Sequence, residues 1–273
     1  MRGTSRASLA EVKQRLAEVV DDAASRPQAA TIGDELFAVV HLLDQQHGLR
    51  RALADPAKPA AEKAAVVGAL LDGQVSPATV ELTAAAVRLR WSGPRDLVDA
   101  LDQLAVATLV ADAEAEGQLD DLEDELFRFG RVVAAEPGLR SALSDAAASP
   151  ERKRDLLTTL LGGKVTQQAL RLITEAAQHP RGRSLDKNLD DYARLAAERR
   201  QRVVAVVRTA TRLSDEQRRR LAAALAAAYG HEVHLNVVLD PGVTGGLSVQ
   251  VGDEVIDGTV ATRLAAVRRR LAG

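Results

Sequence analysis

A repeat at an offset of 90 residues is the feature that most constrains how this chain folds. Without gaps, Asp34-Glu35-Leu36-Phe37 aligns with Asp124-Glu125-Leu126-Phe127, and Gly48-Leu49-Arg50 aligns with Gly138-Leu139-Arg140. Roughly a third of the aligned positions between residues 32 and 75 are identical. Shared helicity alone would not reproduce identical residues in order, so we infer two copies of one structural unit.

Both copies have the periodicity of amphipathic helices. The apolar stripe Ile32, Leu36, Val39 and Leu43 recurs as Leu122, Leu126, Phe129 and Val133, with the three-to-four spacing of a buried helix face. A further helix is predicted over residues 8–20. The pair Ser76-Pro77 predicts a helix start, and Ser149-Pro150 repeats it at a shifted place. We therefore predict a helical bundle over residues 1–117 and a second one over residues 118–202.

The last seventy residues have a different pattern, in which short β-like runs alternate with helical ones. Residues 203–209, 235–239 and 247–251 are strand candidates, and residues 252–254 suit a tight hairpin before a further strand. Ser214 and Gln217 fit a capping box for a helix ending at Gly230, and Thr259 would begin a last helix. The predicted fold class is therefore two repeated all-α bundles followed by a small C-terminal α/β module, residues 203–273, with a short mixed sheet.

This module resembles the delta subunit of bacterial F-type ATP synthases, the family that includes the mitochondrial oligomycin-sensitivity-conferring protein. The matching pattern is Leu213-Ser214-x-x-Gln217, Val233-x-Leu235-Asn236, Leu239-Asp240, Gly245-Gly246-Leu247, Val251-Gly252-Asp253, Val255-Ile256-Asp257-Gly258-Thr259 and Arg263-Leu264. The family-motif positions, which we interpret as mainly structural, are Asn236, Asp240, Gly245, Gly246, Gly252, Asp253, Asp257, Gly258, Arg263 and Leu264. A duplicated bundle departs from the common family pattern and resembles actinobacterial members.

The resemblance implies a non-catalytic peripheral-stalk, or stator, subunit of the proton-translocating ATP synthase. In that family the N-terminal bundle takes N-terminal helices of the alpha subunits, and the C-terminal module holds the membrane-anchored b-type stalk. We expect the same partners here, with the second bundle as a further candidate contact for the stalk. The expected place is peripheral, at the cytoplasmic face of the bacterial cell membrane. A helical-repeat adaptor unrelated to ATP synthase is the alternative hypothesis, because it would explain the repeat equally well.

Composition argues against several other classes of function. The chain contains no cysteine, so it has no disulfide and no thiolate ligand or nucleophile. A net charge of −2 and an aromatic content of 2% argue against nucleic-acid binding. The sequence lacks an apolar run long enough for direct membrane insertion. We expect no cofactor.

No catalytic or metal-binding constellation is predicted from the residues. Residues 162–165 lack the first glycine and the Ser or Thr of a phosphate loop. In His231-Glu232-Val233-His234 the two histidines are three residues apart at the start of a strand, so they would face opposite ways. His41, His47 and His179 are interpreted as separate surface or hydrogen-bonded residues. Without a nucleophile, base and oxyanion donors together, a small-molecule enzyme is not supported.

Two further features are given structural interpretations. Carboxylates are abundant between Asp112 and Glu125, and their spacing suits a solvated helix junction. The pair Gly245-Gly246 could belong to a ligand loop or to a turn where backbones approach closely, and we favour the turn.

Overall fold

The computed structural model describes residues 3–21, 28–145, 147–200, 203–229, 233–240, 242–243, 245–251 and 254–257. The chain divides into two compact units, residues 1–199 and 200–273. The first unit is helical, and the second contains a sheet. This arrangement confirms the predicted fold class. The predicted boundary between two separate bundles near residue 117 stays a prediction.

The first unit is built from eleven helices among its described residues. They are α1 (Gly3–Asp21), α2 (Ala29–Gln45), α3 (His47–Ala54), α4 (Ala60–Leu71), α5 (Pro77–Arg88), α6 (Pro94–Ala115), α7 (Leu119–Ala135), α8 (Pro137–Ser144), α9 (Pro150–Leu161), α10 (Gln167–Gln178) and α11 (Leu185–Arg200). Helices α2 to α5 recur as α7 to α10, with every start and end 90 residues later. The repeat inferred from the sequence is therefore present in the helix boundaries.

Two details of the repeat differ from what the sequence pattern indicates. Gly48 lies inside the short helix α3, which the apolar pattern does not reveal. Ser149 begins α9, whereas the counterpart of Ser76 is Thr166, which begins α10. The hydroxyl of Ser76 accepts a hydrogen bond from the backbone N–H of Thr79, and that of Thr166 accepts one from Ala169. The shifted Ser-Pro pair is thus a separate helix start, because any Ser or Thr in this position can cap a helix.

A single apolar core extends from α1 to α11 and therefore through both copies of the repeat. Helix α6 is central to it, and buried residues lie on nearly every side of that helix. A helix that is apolar all round must be covered on all sides. Helix α6 contacts α1, α2, α3 and α5 of the first copy, and α7 and α10 of the second. It therefore belongs to the packing of both copies.

Helices α2 and α6 approach each other closely at Gly33. A Cβ atom added there would lie 3.0 Å from Cγ and Cδ2 of Leu109 and 3.4 Å from the carbonyl oxygen of Ala105. Leu109 is fully buried, so it has little room to move away. The absence of a side chain at Gly33 allows this contact.

The second unit is a four-stranded mixed sheet with one described helix. Its elements are β1 (Val203–Thr209), α12 (Asp215–Tyr229), β2 (Val233–Leu239), β3 (Leu247–Val251) and β4 (Glu254–Asp257). The strand order is β2-β1-β3-β4, with β1 parallel to β2 and antiparallel to β3. Its core contains Ala205, Val207, Leu225 and Val249. The predicted mixed sheet is confirmed.

Local predictions in this unit have mixed outcomes. The capping box is confirmed: the backbone N–H of Ser214 donates to Gln217 Oε1 at 2.8 Å, and that of Gln217 donates to Ser214 Oγ at 3.2 Å. Strands β3 and β4 pair as the predicted hairpin. The alternation of Leu235, Val237 and Leu239 predicts one buried strand face, but Leu239 is 50% exposed, because it lies at the end of edge strand β2. The predicted helix from Thr259 lies outside the described residues.

Candidate interaction surfaces

A groove between α1 and α5 is the first candidate surface. It encloses about 440 Å³ and is lined by Arg15, Glu18, Val19, Pro77, Ala78, Glu81, Leu82 and Ala85. Ala78, Leu82 and Ala85 have the spacing of one helix face, and Leu82 is buried at its floor. Arg15, Glu18 and Glu81 supply charge around this apolar floor. Small alanines beside a leucine allow the backbone of another helix to approach closely, so the groove suits an amphipathic helix.

The corresponding surface of the second copy is covered by the chain itself. At an offset of 90 residues, Glu81 and Ala85 of α5 become Arg171 and Glu175 of α10. Arg171 pairs with Asp34 at 3.4 Å, and Glu175 Oε1 lies 2.8 Å from Nε2 of His41. Both partners belong to α2 of the first copy. An internal helix therefore contacts the face of α10 that corresponds to the groove face of α5.

Beside this contact lies a cluster of charged side chains centred on Arg181. Its guanidinium pairs with Asp102 at 2.7 Å, with Asp44 at 3.2 Å and with Glu175. The side chains of Arg181 and Asp102 are only 5% and 2% exposed. Asp44 and Asp102 belong to the first copy, whereas Glu175 and Arg181 belong to the second. The cluster therefore joins the two copies.

The backbone of Arg181 is also unusual. Its φ is 51°, in the left-handed region that non-glycine residues rarely adopt. The turn is closed by a 2.9 Å hydrogen bond from the backbone N–H of Arg183 to the carbonyl of Pro180. Arg95 Nη2 donates to the carbonyl oxygen of Arg181 at 3.0 Å, and Arg183 pairs with Asp99 at 2.9 Å. These contacts stabilise a turn conformation that is unfavourable for an arginine by itself.

Burial and charge act in opposite directions on the titrating groups of this cluster. Burial raises the pKa of Asp102 to about 6, although Arg181 and Arg183 act to lower it. Burial also acts to raise the pKa of Glu175, but the hydrogen bond from His41 and the charge of Arg181 outweigh it and hold that pKa below its ordinary value. Burial lowers the pKa of His179 despite nearby Glu175. Glu175 is thus held ionised and His179 is favoured in its neutral form.

Each copy contains a carboxylate tie between its first and fourth repeated helices. Glu35 accepts hydrogen bonds from the backbone N–H of Ser76 at 3.0 Å and from the hydroxyls of Ser76 and Thr79 at 2.6 Å each. Glu125 accepts bonds from the backbone N–H and hydroxyl of Thr166 at 2.9 and 2.7 Å. Glu125 is therefore not a solvated member of the acidic run, because it is held by the start of α10.

The family-motif positions are distributed over strands and loops of the second unit. Asn236 lies in β2 and Asp257 in β4, and the side chains of these two residues are outside the description. Asp240 Oδ1 accepts a hydrogen bond of 2.8 Å from the backbone N–H of Gly242. Gly245 and Gly246 have φ of 78° and 81°, a conformation that favours glycine. The positions outside the described residues are Gly252, Asp253, Gly258, Arg263 and Leu264. That these positions are mainly structural stays a prediction.

The cluster of Asp44, Asp102, Glu175 and Arg181, with His41 and His179 beside it, is called the joining cluster. It is not visible in the sequence, because its members are far apart in the chain. The ring centroids of His41 and His179 lie 3.7 Å apart, so these two histidines are not separate as the sequence suggests. The repeat contains a usable signal: at an offset of 90 residues, the buried Trp91 becomes Arg181, and Ala85 becomes Glu175. A charged residue at a position that is apolar in the other copy, and buried there in the case of Trp91, indicates a partner elsewhere in the fold.

In the part of the chain that the structure describes, no helix combines the length and apolar character needed to cross a membrane.

Exposed large apolar residues lie on the surface of α4, α7 and α9 and on the edge strands of the sheet. They are Val66, Leu70, Phe127, Val132, Leu160, Val238, Leu239, Val255 and Ile256. Such residues on an otherwise charged surface are candidate contacts for other proteins.

Comparison with known proteins identifies the relatives of this chain. Residues 105–271 match the sequence profile of the family described as ATP synthase delta (OSCP) subunit. The protein named ATP synthase subunit delta of Thermobifida fusca is 52% identical over 273 residues, which is 100% of both chains. That of Streptomyces griseus is 48% identical, again over 100% of both. That of Acidothermus cellulolyticus is 43% identical over 100% of both.

Among solved structures, a chain of the Toxoplasma gondii mitochondrial ATP synthase hexamer is 20% identical, with a TM-score of 0.28. The superposition covers 62% of this chain and 95% of that one. At that TM-score the likeness does not establish a shared fold.

Proposed function

Because this chain belongs to the ATP synthase delta (OSCP) subunit family, we propose that it links alpha subunits of the catalytic head to a b-type stalk. Members of the family are non-catalytic subunits of the peripheral stalk, so an adaptor unrelated to ATP synthase is ruled out. The two partners, and the surface of this chain that each one contacts, are the proposal. In this arrangement the subunit acts at the cytoplasmic face of the bacterial cell membrane.

The groove between α1 and α5 carries the proposal for the alpha subunit. It offers an apolar floor of Val19, Ala78, Leu82 and Ala85 between charged rims, which suits the apolar stripe of an amphipathic helix. We assign the N-terminal helix of one alpha subunit to this groove. The small side chains of Ala78 and Ala85 set the distance at which that helix packs.

The second copy has a different role in this proposal. Its corresponding helix face, on α10, is already contacted by α2 through Asp34 and His41. A second alpha helix bound there in the same way would have to displace these contacts. The exposed Phe127 and Val132 on α7 are instead available to the stalk.

The C-terminal unit completes the proposed stalk contact. Its two edge strands expose Val238 and Leu239 on β2 and Val255 and Ile256 on β4. Edge strands with exposed apolar side chains are suited to pairing with a partner. When one chain contacts the stalk at several places, the later contacts become intramolecular, with avidity gains of roughly 10²–10⁴. Such avidity would keep the stator attached under torque.

Binding of a synthetic peptide from the N-terminus of the alpha subunit tests the groove. Ala85→Arg in the full-length protein places a long charged side chain on the groove floor, and we expect peptide affinity to fall at least tenfold. Ala61→Arg on the exposed face of α4 is the matched control and should leave affinity unchanged. If Ala85→Arg binds the peptide as tightly as the wild-type protein does, while circular dichroism shows an intact fold, the assignment of the alpha helix to this groove is contradicted.

Capture of the stalk tests the second contact. Phe127→Asp should weaken capture of the soluble part of the b-type chain by full-length protein and leave binding of the alpha peptide unchanged. Val66→Asp removes a similarly exposed apolar side chain from the first copy and serves as the control. If Phe127→Asp and Val66→Asp both leave stalk capture intact, the second copy does not use α7 for this contact.

A further inference from the structure

We propose that His41, Glu175 and His179 form a binding site for a divalent transition-metal ion such as Zn²⁺. One ligand atom from each residue lies within 4.8 Å of the others. Nε2 of His41 is already 2.8 Å from Oε1 of Glu175. Two imidazoles and one carboxylate are a frequent protein ligand set for zinc, with a fourth position left for water. This inference is independent of the proposed function.

The fold holds the three ligands from both sides of the junction between the copies. His41 lies on α2. Glu175 is in the last turn of α10 and His179 directly follows that helix, where its backbone N–H bonds to the Glu175 carbonyl at 2.9 Å. The spacing of four residues places both side chains on one face of the helix end. The ring centroids of His41 and His179 are 3.7 Å apart, so the two rings lie together beside the carboxylate.

Bond lengths to zinc are about 2.0–2.2 Å for nitrogen and oxygen ligands, so two ligand atoms on one ion lie roughly 3.3 Å apart. The pair His41 and Glu175 is already closer than this, and the separations to His179, which are no more than 4.8 Å, must shorten by at most about 1.5 Å. Rotation of the partly exposed imidazole of His179 can provide that movement. Glu175 is buried and fixes the position of the site.

The ring of His179 also has a nitrogen that can accept a metal. A metal ligand must be a neutral imidazole or an ionised carboxylate. Within the described ranges the ring nitrogens of His179 have no hydrogen-bond partner. One lone pair of that ring is therefore available to a cation.

Arg181 is the competing cation, because it also pairs with Glu175. Asp102 and Asp44 hold the same guanidinium at 2.7 and 3.2 Å. Glu175 can therefore share an oxygen with a metal while Arg181 keeps two carboxylate partners. Two nitrogen ligands favour zinc, cobalt, nickel or copper over magnesium and calcium, which prefer oxygen. A bound ion would tie α2 of the first copy to α10 of the second.

Calorimetric titration of the chelator-treated, full-length protein with Zn²⁺ tests the site. We expect one ion per chain and a melting temperature that rises with Zn²⁺ concentration. Co²⁺ should give the visible absorption of a low-coordinate nitrogen site. His41→Ala and His179→Ala should each weaken binding at least tenfold. His47→Ala, which removes an exposed histidine from the start of α3, is the matched control and should not change it.

Two controls keep the result interpretable if a variant folds poorly. Histidine imidazole resonances of the wild-type protein identify the liganding rings without any substitution, and those of His41 and His179 should shift on adding Zn²⁺. The double variant that combines His231→Gln and His234→Gln should bind Zn²⁺ with the same affinity as the wild-type protein. Absence of saturable binding, or binding lost in the His231 and His234 variant and kept in His41→Ala, would overturn the proposal.

Discussion

Arg181 Nη1 donates to Asp102 Oδ1 at 2.7 Å, although 79 residues separate the two in the chain and both side chains are almost fully buried. Asp102 lies on the central helix α6, and Arg181 lies in the turn between α10 and α11. An ion pair removed from water in this way contributes little net stability as long as it is complete, but its loss is costly. The pair therefore fixes how the two copies fit together.

Removal of Arg181 should strongly destabilise the first unit. Arg181→Met leaves the buried Asp102 and Glu175 carboxylates without this cation, and we expect the free energy of unfolding to fall by about 3–5 kcal/mol. The only tryptophan, Trp91, is buried in this unit, so its fluorescence during urea unfolding measures the change. Arg194→Met removes an arginine whose side chain is 60% exposed and should change stability by no more than about 0.5 kcal/mol. Similar losses for the two variants would contradict a special role for Arg181.

Titration of Asp102 should make the first unit less stable as pH rises. Its pKa is raised from 3.8 to about 6 in the folded protein, so the folded state binds the proton more tightly than the unfolded state. Its contribution to stability is complete below about pH 4 and is lost as pH rises through about 6. Two pKa units correspond to about 3 kcal/mol.

The comparison that isolates this effect is wild type against Asp102→Asn, with urea unfolding at pH 4, 5, 6 and 7. Groups away from the cluster titrate alike in both proteins and cancel in this comparison, whereas Glu175, whose pKa is lowered, acts in the opposite direction to Asp102. The stability of wild type relative to Asp102→Asn should therefore decline by about 2–3 kcal/mol over this range. Parallel pH profiles for the two proteins would show that Asp102 titrates normally.

The two carboxylate ties should differ in strength. Glu35 accepts three hydrogen bonds, whereas Glu125 accepts two. Hydrogen bonds to a charged group make a net contribution of about 1.5–3 kcal/mol each, and less where the group is partly exposed, as both carboxylates are. We expect Glu35→Ala to lower the free energy of unfolding by about 1–2 kcal/mol more than Glu125→Ala. Chemical denaturation measures the change in the free energy of unfolding for both variants. The control is Glu62→Ala, at an exposed position of α4, for which we expect almost no change. The reverse order would show that the number of bonds does not decide the effect.

Gly33 should not tolerate a side chain, although it lies within a helix. Gly68, inside α4, has open space around it, so Gly68→Ala should raise stability by about 0.5–1 kcal/mol through helix propensity. Gly33→Ala would place its Cβ 3.0 Å from the buried Leu109, which offsets that gain, and Gly33→Leu should cost about 1–3 kcal/mol. Thermal unfolding of the three variants provides the test. A gain for Gly33→Ala as large as that for Gly68→Ala would mean that α2 and α6 can separate without cost.

Local structure in this protein follows from the sequence because it depends on neighbours along the chain. The capping box of Ser214 and Gln217 joins residues three apart, and Ser76-Pro77 begins α5 as predicted. The repeat predicted the same helices twice, since identical apolar spacings bury the same faces. Leu239 shows the limit of this reasoning, because period-two alternation does not reveal that β2 is an edge strand.

The joining cluster was decided by the tertiary structure alone. His41 and Glu175 are 134 residues apart and Arg181 and Asp44 are 137 apart, so no spacing rule connects them. They meet because α6 packs with helices of both copies, which brings α2 of one copy beside α10 of the other. The sequence by itself determined the longer helices, the mixed sheet and the duplication, but not the short helix α3. Only the packing decided that the groove of the first copy is open while the corresponding face of the second is covered, because burial depends on which surfaces come together in space.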